Sequence, residues 1–395
     1  MQFSARFLRI HAHLVSTAGN MVNLHKIKPL SAHLTPEIAS VTIKRIPLDQ
    51  LASMASAPLA SNPFYRPDQL HIALSHLGVP DTIVILGGYD RQGELIGLLP
   101  LVQDKGYARL PIRYWRNYTH PFCFLQDPWV QPAHLEDFFH GVFLWLEKHS
   151  RLPFLRLTGL SKNMGEILGR VDRERFRYRP LQEERAILQS SLGGEAYINA
   201  TMRKKKRKEY KRLQNRLAEM GHVSYEEFRS GDNFTPWLEE FLTLEHGGWK
   251  GKAGSALRSN KTHEKYFLAA CTSAAKANSL FMARLCFNDK PIASVIGFLE
   301  NNILYTIKIS FDESFSRFSP GVMLELALTK SALDHHKFTL VDSCAKPDHP
   351  MINHIWRERR EISQWIIALQ GGRGLLLARL TQNLEILSRK FNSHR

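Results

Sequence analysis

The chain has 395 residues, with 53 Lys and Arg against 37 Asp and Glu and a net charge of +16. Its 44% hydrophobic and 23% charged fractions are those of a soluble globular protein, and its length is large for one core, so two domains are expected. No apolar run reaches the roughly 18 residues of a membrane-spanning helix, and the scattered Cys123, Cys271, Cys286 and Cys344 form no C-x-x-C pair, which excludes a disulfide framework and a zinc site of that kind and fits reduced thiols in the cytoplasm.

The first 36 residues contain no acid, but carry Arg6, Arg9, several serines and four histidines. They lack the apolar stretch of a secretory signal, so 1–40 reads as a disordered or transit-like leader, or as sequence upstream of a start at Met21. Residues 41–195 read as mixed α/β. Asn62-Pro63-Phe64 leads into a helix over 66–77, and strands at 82–87 and 94–102 flank the turn Asp90-Arg91-Gln92-Gly93. A helix at 132–148 and a strand at 154–158 complete this half. Residues 203–216 then hold nine Lys or Arg and one acid, Glu209, inside an expected linker helix over 200–220. Tyr210, Leu213 and Leu217 make a thin apolar stripe along it. The basic face is either simply solvated or meets phosphate, nucleic acid or an anionic membrane. Tyr210 alone offers a ring for stacking, which counts against a nucleic-acid-binding protein.

The second half, 196–395, opens with a helix over 236–246, with Thr235 as N-cap and Pro236 in the first turn. Glu245 continues the apolar row of Leu238, Phe241 and Leu242. A carboxylate on a buried face suits a group that takes a proton from an ammonium; the alternative is a structural pair with Lys250 or another cation. Trp249-Lys250-Gly251 either lines an acceptor pocket or ends the helix. A helix at 262–277 and strands at 280–287 and 292–299 around Asn288-Asp289-Lys290-Pro291 repeat the helix–strand–hairpin–strand order of the first half, which reads as a tandem duplication. Asn301-Asn302 turns into a strand over 303–310. There Ile303, Tyr305, Ile307, Ile309 and Phe311 share one face, leaving Leu304, Thr306, Lys308 and Ser310 for a cleft. Lys308 on that face meets a phosphate or an acidic acceptor, or stands at a solvent edge.

Ser319 suits the N-cap of a helix over 320–335, Pro320 its first turn, and Gly321 a close backbone approach. A helix start offers unpaired N–H donors and a partial positive charge to a phosphate. A strand over 338–344 carries Asp342 near its end, either as a cap or entering a cleft. His349 sits in a Pro-flanked loop, and His349 and His354 lack further ligands, so no metal is expected. A strand at 362–369 and a basic amphipathic helix at 374–391 follow; the helix packs on the sheet or touches a membrane surface. The order of elements makes the chain α+β, with mixed, mostly antiparallel sheets flanked by helices. No G-x-x-x-x-G-K-[ST], H-E-x-x-H or G-x-S-x-G occurs.

Glu245, Trp249-Lys250-Gly251 and Gly254-Ser255-Ala256 together resemble the E-x-x-x-W-K-G-x-x-G-[ST]-A signature of CelD/BcsL-type proteins, within the GNAT superfamily of acyl-CoA N-acyltransferases. Tyr305–Asp312 followed by Phe318-Ser319-Pro320-Gly321 is similar to a second segment of that family, as are Asn62-Pro63-Phe64, Gly97-Leu98-Leu99-Pro100-Leu101 and Trp115-Arg116-Asn117. The likeness spans roughly 60–370 and implies two tandem GNAT-like units, an arrangement found in the related Fem peptidyltransferases. It implies an acyl-CoA donor, acetyl-CoA or longer, and a small-molecule, glycan or lipid amine as acceptor. It places the pyrophosphate on the N–H groups of Gly321 and Val322 beside Ser319 and Pro320, with Arg317 near the adenosine phosphates. The strand near Lys308 polarises the thioester carbonyl, Glu245, Asp342 and His349 are candidate proton carriers, and Trp249, Lys250 and Tyr305 lie on the acceptor side. The expected site of action is the cytoplasm, with peripheral contact at the inner face of an anionic membrane through 203–216 and the last helix. Two alternatives stay open: an aminoacyl-tRNA donor, as in Fem proteins, and a non-catalytic accessory protein in polysaccharide or envelope assembly. The sequence departs from the family after Asp342, where a Tyr-Lys pair is missing although Trp356 is present. It also lacks the fuller Q/R-x-x-G-x-G/A loop, to which Arg317 and Gly321 are the nearest equivalents.

Overall fold

The computed structural model describes residues 41–54, 62–107, 110–229, 231–369 and 371–392; the leader expected over 1–40 lies outside them. The first half supplies β1 (Thr42–Ile46), α1 (Pro67–Leu77), β2 (Val84–Tyr89), β3 (Leu95–Tyr107), β4 (Leu110–Asn117), the short β5 (Trp129–Val130), α2 (Leu135–His149), β6 (Phe154–Ser161), α3 (Lys162–Arg170) and β7 (Arg177–Leu188). After it come α4 (Gly194–Thr201), α5 (Lys204–Met220), β8 (Val223–Glu227), α6 (Thr235–Gly247), α7 (Trp249–Lys252), α8 (Lys261–Lys276), β9 (Leu280–Phe287), β10 (Lys290–Glu300) and β11 (Ile303–Phe311). The chain ends with α9 (Pro320–Asp334), β12 (Leu340–Asp342), β13 (Glu358–Ala368) and α10 (Gly371–Asn392).

The strands form one mixed sheet in the order β1-β2-β3-β4-β6-β13-β7-β12-β11-β10-β9-β8, with β5 on β3. Pairs are antiparallel except β4 with β6 and β11 with β12. The centre of the sheet mixes the two halves. β13 lies between β6 and β7, and β7 joins β12. The two faces are read from alternation along β9. Met282 packs with Phe241 and Leu242 of α6 and Phe267 of α8, in a core shared with Phe64 and Phe139 of the first half. Its neighbours Phe281 and Ala283 pack with Ile198, Leu217, Leu324 and Leu328 of α4, α5 and α9.

Several local expectations differ from what forms. The linker helix over 200–220 is two helices, because Met202 and Arg203 adopt extended backbone and Met202 is buried in the α9-side core. Thr235 is the first helical residue and not the cap; its N–H donates to Asn233 Oδ1 at 3.0 Å. The two turns matched by sequence are built differently. Asn288 and Asp289 both have positive φ, 47° and 63°, as do Asn301 and Asn302, 46° and 61°, which is the mirror-image two-residue turn that suits right-twisted strands. In the first half, Asp90 Oδ1 instead accepts the N–H groups of Gln92 and Glu94, and Gly93 takes φ 86°.

Candidate functional site

The site begins where two parallel strands part. β11 and β12 pair only through Ile303–Tyr305 and Leu340–Asp342. Beyond that point the chain after β12 is drawn toward β7: the Ser343 N–H donates to Ala186 O at 3.2 Å, and the Cys344 N–H to Asp342 Oδ1 at 2.9 Å. Thr306–Ile309 on one side and Ser343–Ala345 on the other then line a cleft of about 290 Å³. With no strand alongside, the backbone of β11 from Thr306 onward opens into it.

A bulge adds to this opening. Lys308 stands opposite Ile296 but Thr306 stands opposite Gly297, so Ile307 is an extra residue in β11. Gly297 permits it: a Cβ there would lie 2.6 Å from Tyr305 O. The bulge changes the phase of alternation, so the five apolar residues expected on one face are divided. Tyr305 and Ile307 pack on the α6 side, whereas Ile309 and Phe311 pack on the α9 side. Of the residues expected to face a cleft, Thr306 and Lys308 line it. Leu304 is core, and Ser310 is buried with its hydroxyl toward Phe241 O at 3.4 Å.

Lys308 reaches the α6 side and donates to Glu245 Oε1 at 2.7 Å. Glu245 is 2% exposed. Its Oε2 accepts the Leu257 N–H at 2.8 Å, and Lys250 Nζ lies 3.7 Å from Oε1. Two cations and an amide thus hold the carboxylate, which is the structural pair open at the level of sequence, with Lys308 as the closer partner. Lys250 also donates to Ile309 O at 2.9 Å and lines the cleft. Burial and the Lys308 ammonium push its pKa down, against the pull of Glu245. Gly251 packs on the end of α6, where a Cβ would fall 1.8 Å from His246 O. Trp249 is 57% exposed, its N–H donating to Glu313, and stands outside the cleft lining.

At the start of α9, Ser319 has φ 54° and ψ 54° and its hydroxyl caps nothing; the left-handed backbone ends the short 3-10 helix Glu313–Phe318. Its carbonyl accepts the N–H groups of Val322 at 3.0 Å and Met323 at 3.1 Å. Pro320 has no N–H, so of the two amides expected to meet a phosphate, that of Val322 is taken. The Gly321 N–H, at the second helical position, has no carbonyl in its own helix. A Cβ at Gly321 would make only ordinary contacts, 3.5 Å or more, with Phe311, Ile309 and Met351. Ile309 and Met351 belong to the cleft lining, so the cleft reaches the helix start. Arg317 lies on the surface with its guanidinium 4.8 Å from the centre of the Phe318 ring.

His349 lines the cleft. Its Nδ1 accepts from the N–H groups of Met351 at 3.3 Å and Ile352 at 3.4 Å, which leaves Nε2 to carry the proton of the neutral ring. Burial pushes its pKa down, Asp348 opposes, and Lys250 adds to the fall. Asp342 and Tyr305 sit elsewhere, in the core. Asp342 is fully buried, and its Oδ2 accepts from Arg185 at 2.6 Å and Arg360 at 2.8 Å. Burial raises its pKa, but the two guanidinium groups outweigh that and hold it below the usual carboxylate range. Tyr305 is also 0% exposed, edge-on to Phe64 and beside Arg360.

Sequence reasoning missed Glu325. It lies on α9, one turn beyond Gly321, lines the cleft and is 4% exposed. Its Oε2 is buried without a hydrogen-bond partner, and burial pushes its pKa up to about 8. The available signal was a single acid within the apolar run Met323-Leu324-Glu325-Leu326-Ala327-Leu328. Pro121, Phe122 and Phe124 of the first half close the cleft on the α6 side. Two first-half residues of the resembled segments, Asn62 and Asn117, tie backbone together. Asn62 accepts the Phe64 N–H and donates to Asp127 O, and Asn117 ties β4 to β6 by bonding both backbone groups of Thr158. Among the described residues no group of three or more His, Cys, Asp or Glu could hold a metal, and no helix is long and apolar enough to cross a membrane.

Residues 204–349, which carry most of the cleft lining, match the acetyltransferase (GNAT) domain family. No curated protein matches the chain. Among solved structures, FemX aligns over 86% of this chain and 99% of its own, at 10% identity and a TM-score of 0.54. A conserved protein of unknown function from Bacteroides thetaiotaomicron VPI-5482 aligns over 84% and 100%, at 12% identity and a TM-score of 0.49. A tandem GNAT protein from the clavulanic acid biosynthesis pathway aligns over 83% and 98%, at 11% identity and a TM-score of 0.38. The chain has a GNAT-like fold, and its second half contains the stretch that matches the acetyltransferase (GNAT) domain.

Proposed function

We propose that this protein is an acyl-CoA-dependent N-acyltransferase whose thioester lies in the cleft between β11 and β12. The observation that carries the reading is the parting of these strands at a bulge, in a cleft that runs to the start of a helix. The backbone of β11 around Lys308 polarises the thioester carbonyl, as preorganised N–H donors do for a developing oxyanion. The Gly321 N–H and the α9 dipole meet the pyrophosphate, and Arg317 the adenosine phosphates. Glycine at 321 leaves space that the protein's own packing does not use. The acceptor is an amine on a sugar, a polysaccharide precursor or an amino-lipid, entering from the α6 side between Phe122 and Lys250. The CelD/BcsL-like signature around Glu245 supports that class. Glu245 fixes Lys308 and Lys250 around the reacting carbonyl, and His349, kept neutral by burial with its proton on Nε2, is a hydrogen-bond donor at the cleft, while the surplus proton of the attacking amine leaves to water.

A second donor is favoured by one observation. The cations of α5 other than the half-buried Arg207 are exposed, and α5 packs against the short 3-10 helix Glu313–Phe318 that leads into α9. That surface suits a polyanion, so an aminoacyl-tRNA donor remains the rival. The same surface and α10, which leaves Leu376, Leu380, Ile386 and Leu387 exposed, also suit peripheral contact with an anionic membrane face. A thermal-shift series with acetyl-CoA, a long-chain acyl-CoA, free CoA, tRNA and anionic vesicles separates these. An acyl-CoA at a hundred times its Kd raises stability by about 2.7 kcal/mol. No shift with any acyl-CoA, together with tRNA binding that falls steeply with salt, overturns the acyl-CoA reading.

A further inference from the structure

We propose that Glu325 is the general acid that protonates the thiolate leaving the thioester, a step that rests on the acyl-CoA reading above. Lys308 and Glu325 reach the cleft from opposite faces of the sheet, since α6 covers one face and α9 the other. An amine attacking from the α6 side expels sulfur toward the α9 side, along the path that the donor takes from the start of α9. Glu325 stands on that side, nine-tenths or more buried, with Oε2 unpartnered. Its turn of helix is pinned from behind. Trp356 Nε1 donates to Thr329 Oγ1 at 2.9 Å, and the Thr329 hydroxyl donates to Glu325 O at 2.7 Å.

The charged and titratable groups nearby leave this carboxyl unpaired. Lys308 and Lys250 are engaged by Glu245 and Ile309 O. The Tyr225 hydroxyl, on β8, donates to Glu227 at 2.7 Å. His349 and Cys344 share the cleft, with His349 Nδ1 committed to the loop backbone and the Cys344 thiol held protonated by burial. A carboxyl that is buried and unpaired keeps its proton at neutral pH. A thiol titrates near 8.5, so acid and leaving group are matched for proton transfer. In the step, the amine nitrogen bonds to the carbonyl carbon and the C–S bond breaks, with its electron pair going to sulfur. The Glu325 proton moves to sulfur and gives the free thiol of CoA. The surplus proton on nitrogen passes to water in the cleft, and Glu325 regains a proton from water when CoA departs.

The test compares wild type, Glu325→Gln and Glu325→Asp on an acyl-CoA and on the same acyl group carried by 4-nitrothiophenol, whose thiolate leaves without a proton. Glu325→Gln is expected to lose roughly 10²–10⁴-fold in kcat with acyl-CoA, with little change in KM and loss of the alkaline limb of the pH profile. It is expected to approach the wild-type rate with the aryl thioester, and Glu325→Asp to recover part of the loss. Unchanged kcat with acyl-CoA overturns the proposal, and so does an equal loss on both thioesters in a variant with wild-type Tm. Wild type that turns over neither thioester overturns the acyl-CoA reading itself.

Discussion

Asp342 and Glu325 are both buried carboxyl groups near the parting of β11 and β12, and their neighbours put them in opposite electrical states. Asp342 is an anion held by Arg185 and Arg360; Glu325 has no partner for its Oε2. Asp342→Asn leaves two buried guanidinium groups without their anion and is expected to lower stability by about 3–5 kcal/mol, read from denaturant unfolding. Because the folded-state pKa of Asp342 lies below its unfolded value, its contribution is present above about pH 4 and is lost as pH falls further. Glu325 behaves in the reverse sense. Its pKa is pushed up to about 8, so the folded state holds a proton that the unfolded chain has released, and its contribution falls as pH rises from about 4.5 toward 8. Asp342 could be located in the sequence as the end of a strand, but its partners could not. Arg185 and Arg360 lie on strands far apart along the chain and meet it only in the assembled sheet.

At the level of elements, periodicity and turn residues were sound guides where the rule is local. The helices over 66–77, 262–277 and 320–335 form within a residue or so of the expected bounds; the Asn-rich hairpins form too, but the first turns on Asn288-Asp289 alone, and Lys290 and Pro291, expected in the turn, open β10. The bulge in β11 was invisible, because an extra residue is defined only against the partner strand. Gly297 is its sign on β10. Gly297→Ala drives a methyl to 2.6 Å from Tyr305 O, and overpacking of this kind typically costs about 1–3 kcal/mol. The expected outcome is a lower Tm together with a loss of acyl-CoA protection, since the bulge shapes the cleft. A variant that keeps both would show that β11 tolerates a regular ladder. The W-K-G segment divides by residue: Trp249 is exposed, Lys250 faces the cleft, and Gly251 lets α7 fold back on α6.

On the scale of the whole molecule, the interlocked strands decide how the protein unfolds. β7 finds its partners only in β12 and β13, and β13 is the link between β6 and β7. Residues 41–195 expressed alone lack β12 and β13 and are expected to stay unfolded by circular dichroism, whereas the full chain unfolds in one cooperative transition. A fragment with a sigmoidal melt of its own would contradict this. The sequence by itself determined the α+β character, the second-half hairpins, the amphipathic helices and the place where α9 begins, because each depends on residues within a few positions of one another. Only the tertiary structure decided that β13 enters the middle of the sheet and that the Val322 amide is already used. It alone put Lys308 on Glu245, and left an unpartnered Glu325 across the cleft from them. Those outcomes depend on hydrogen bonds and burial shared between distant segments, which no local pattern records.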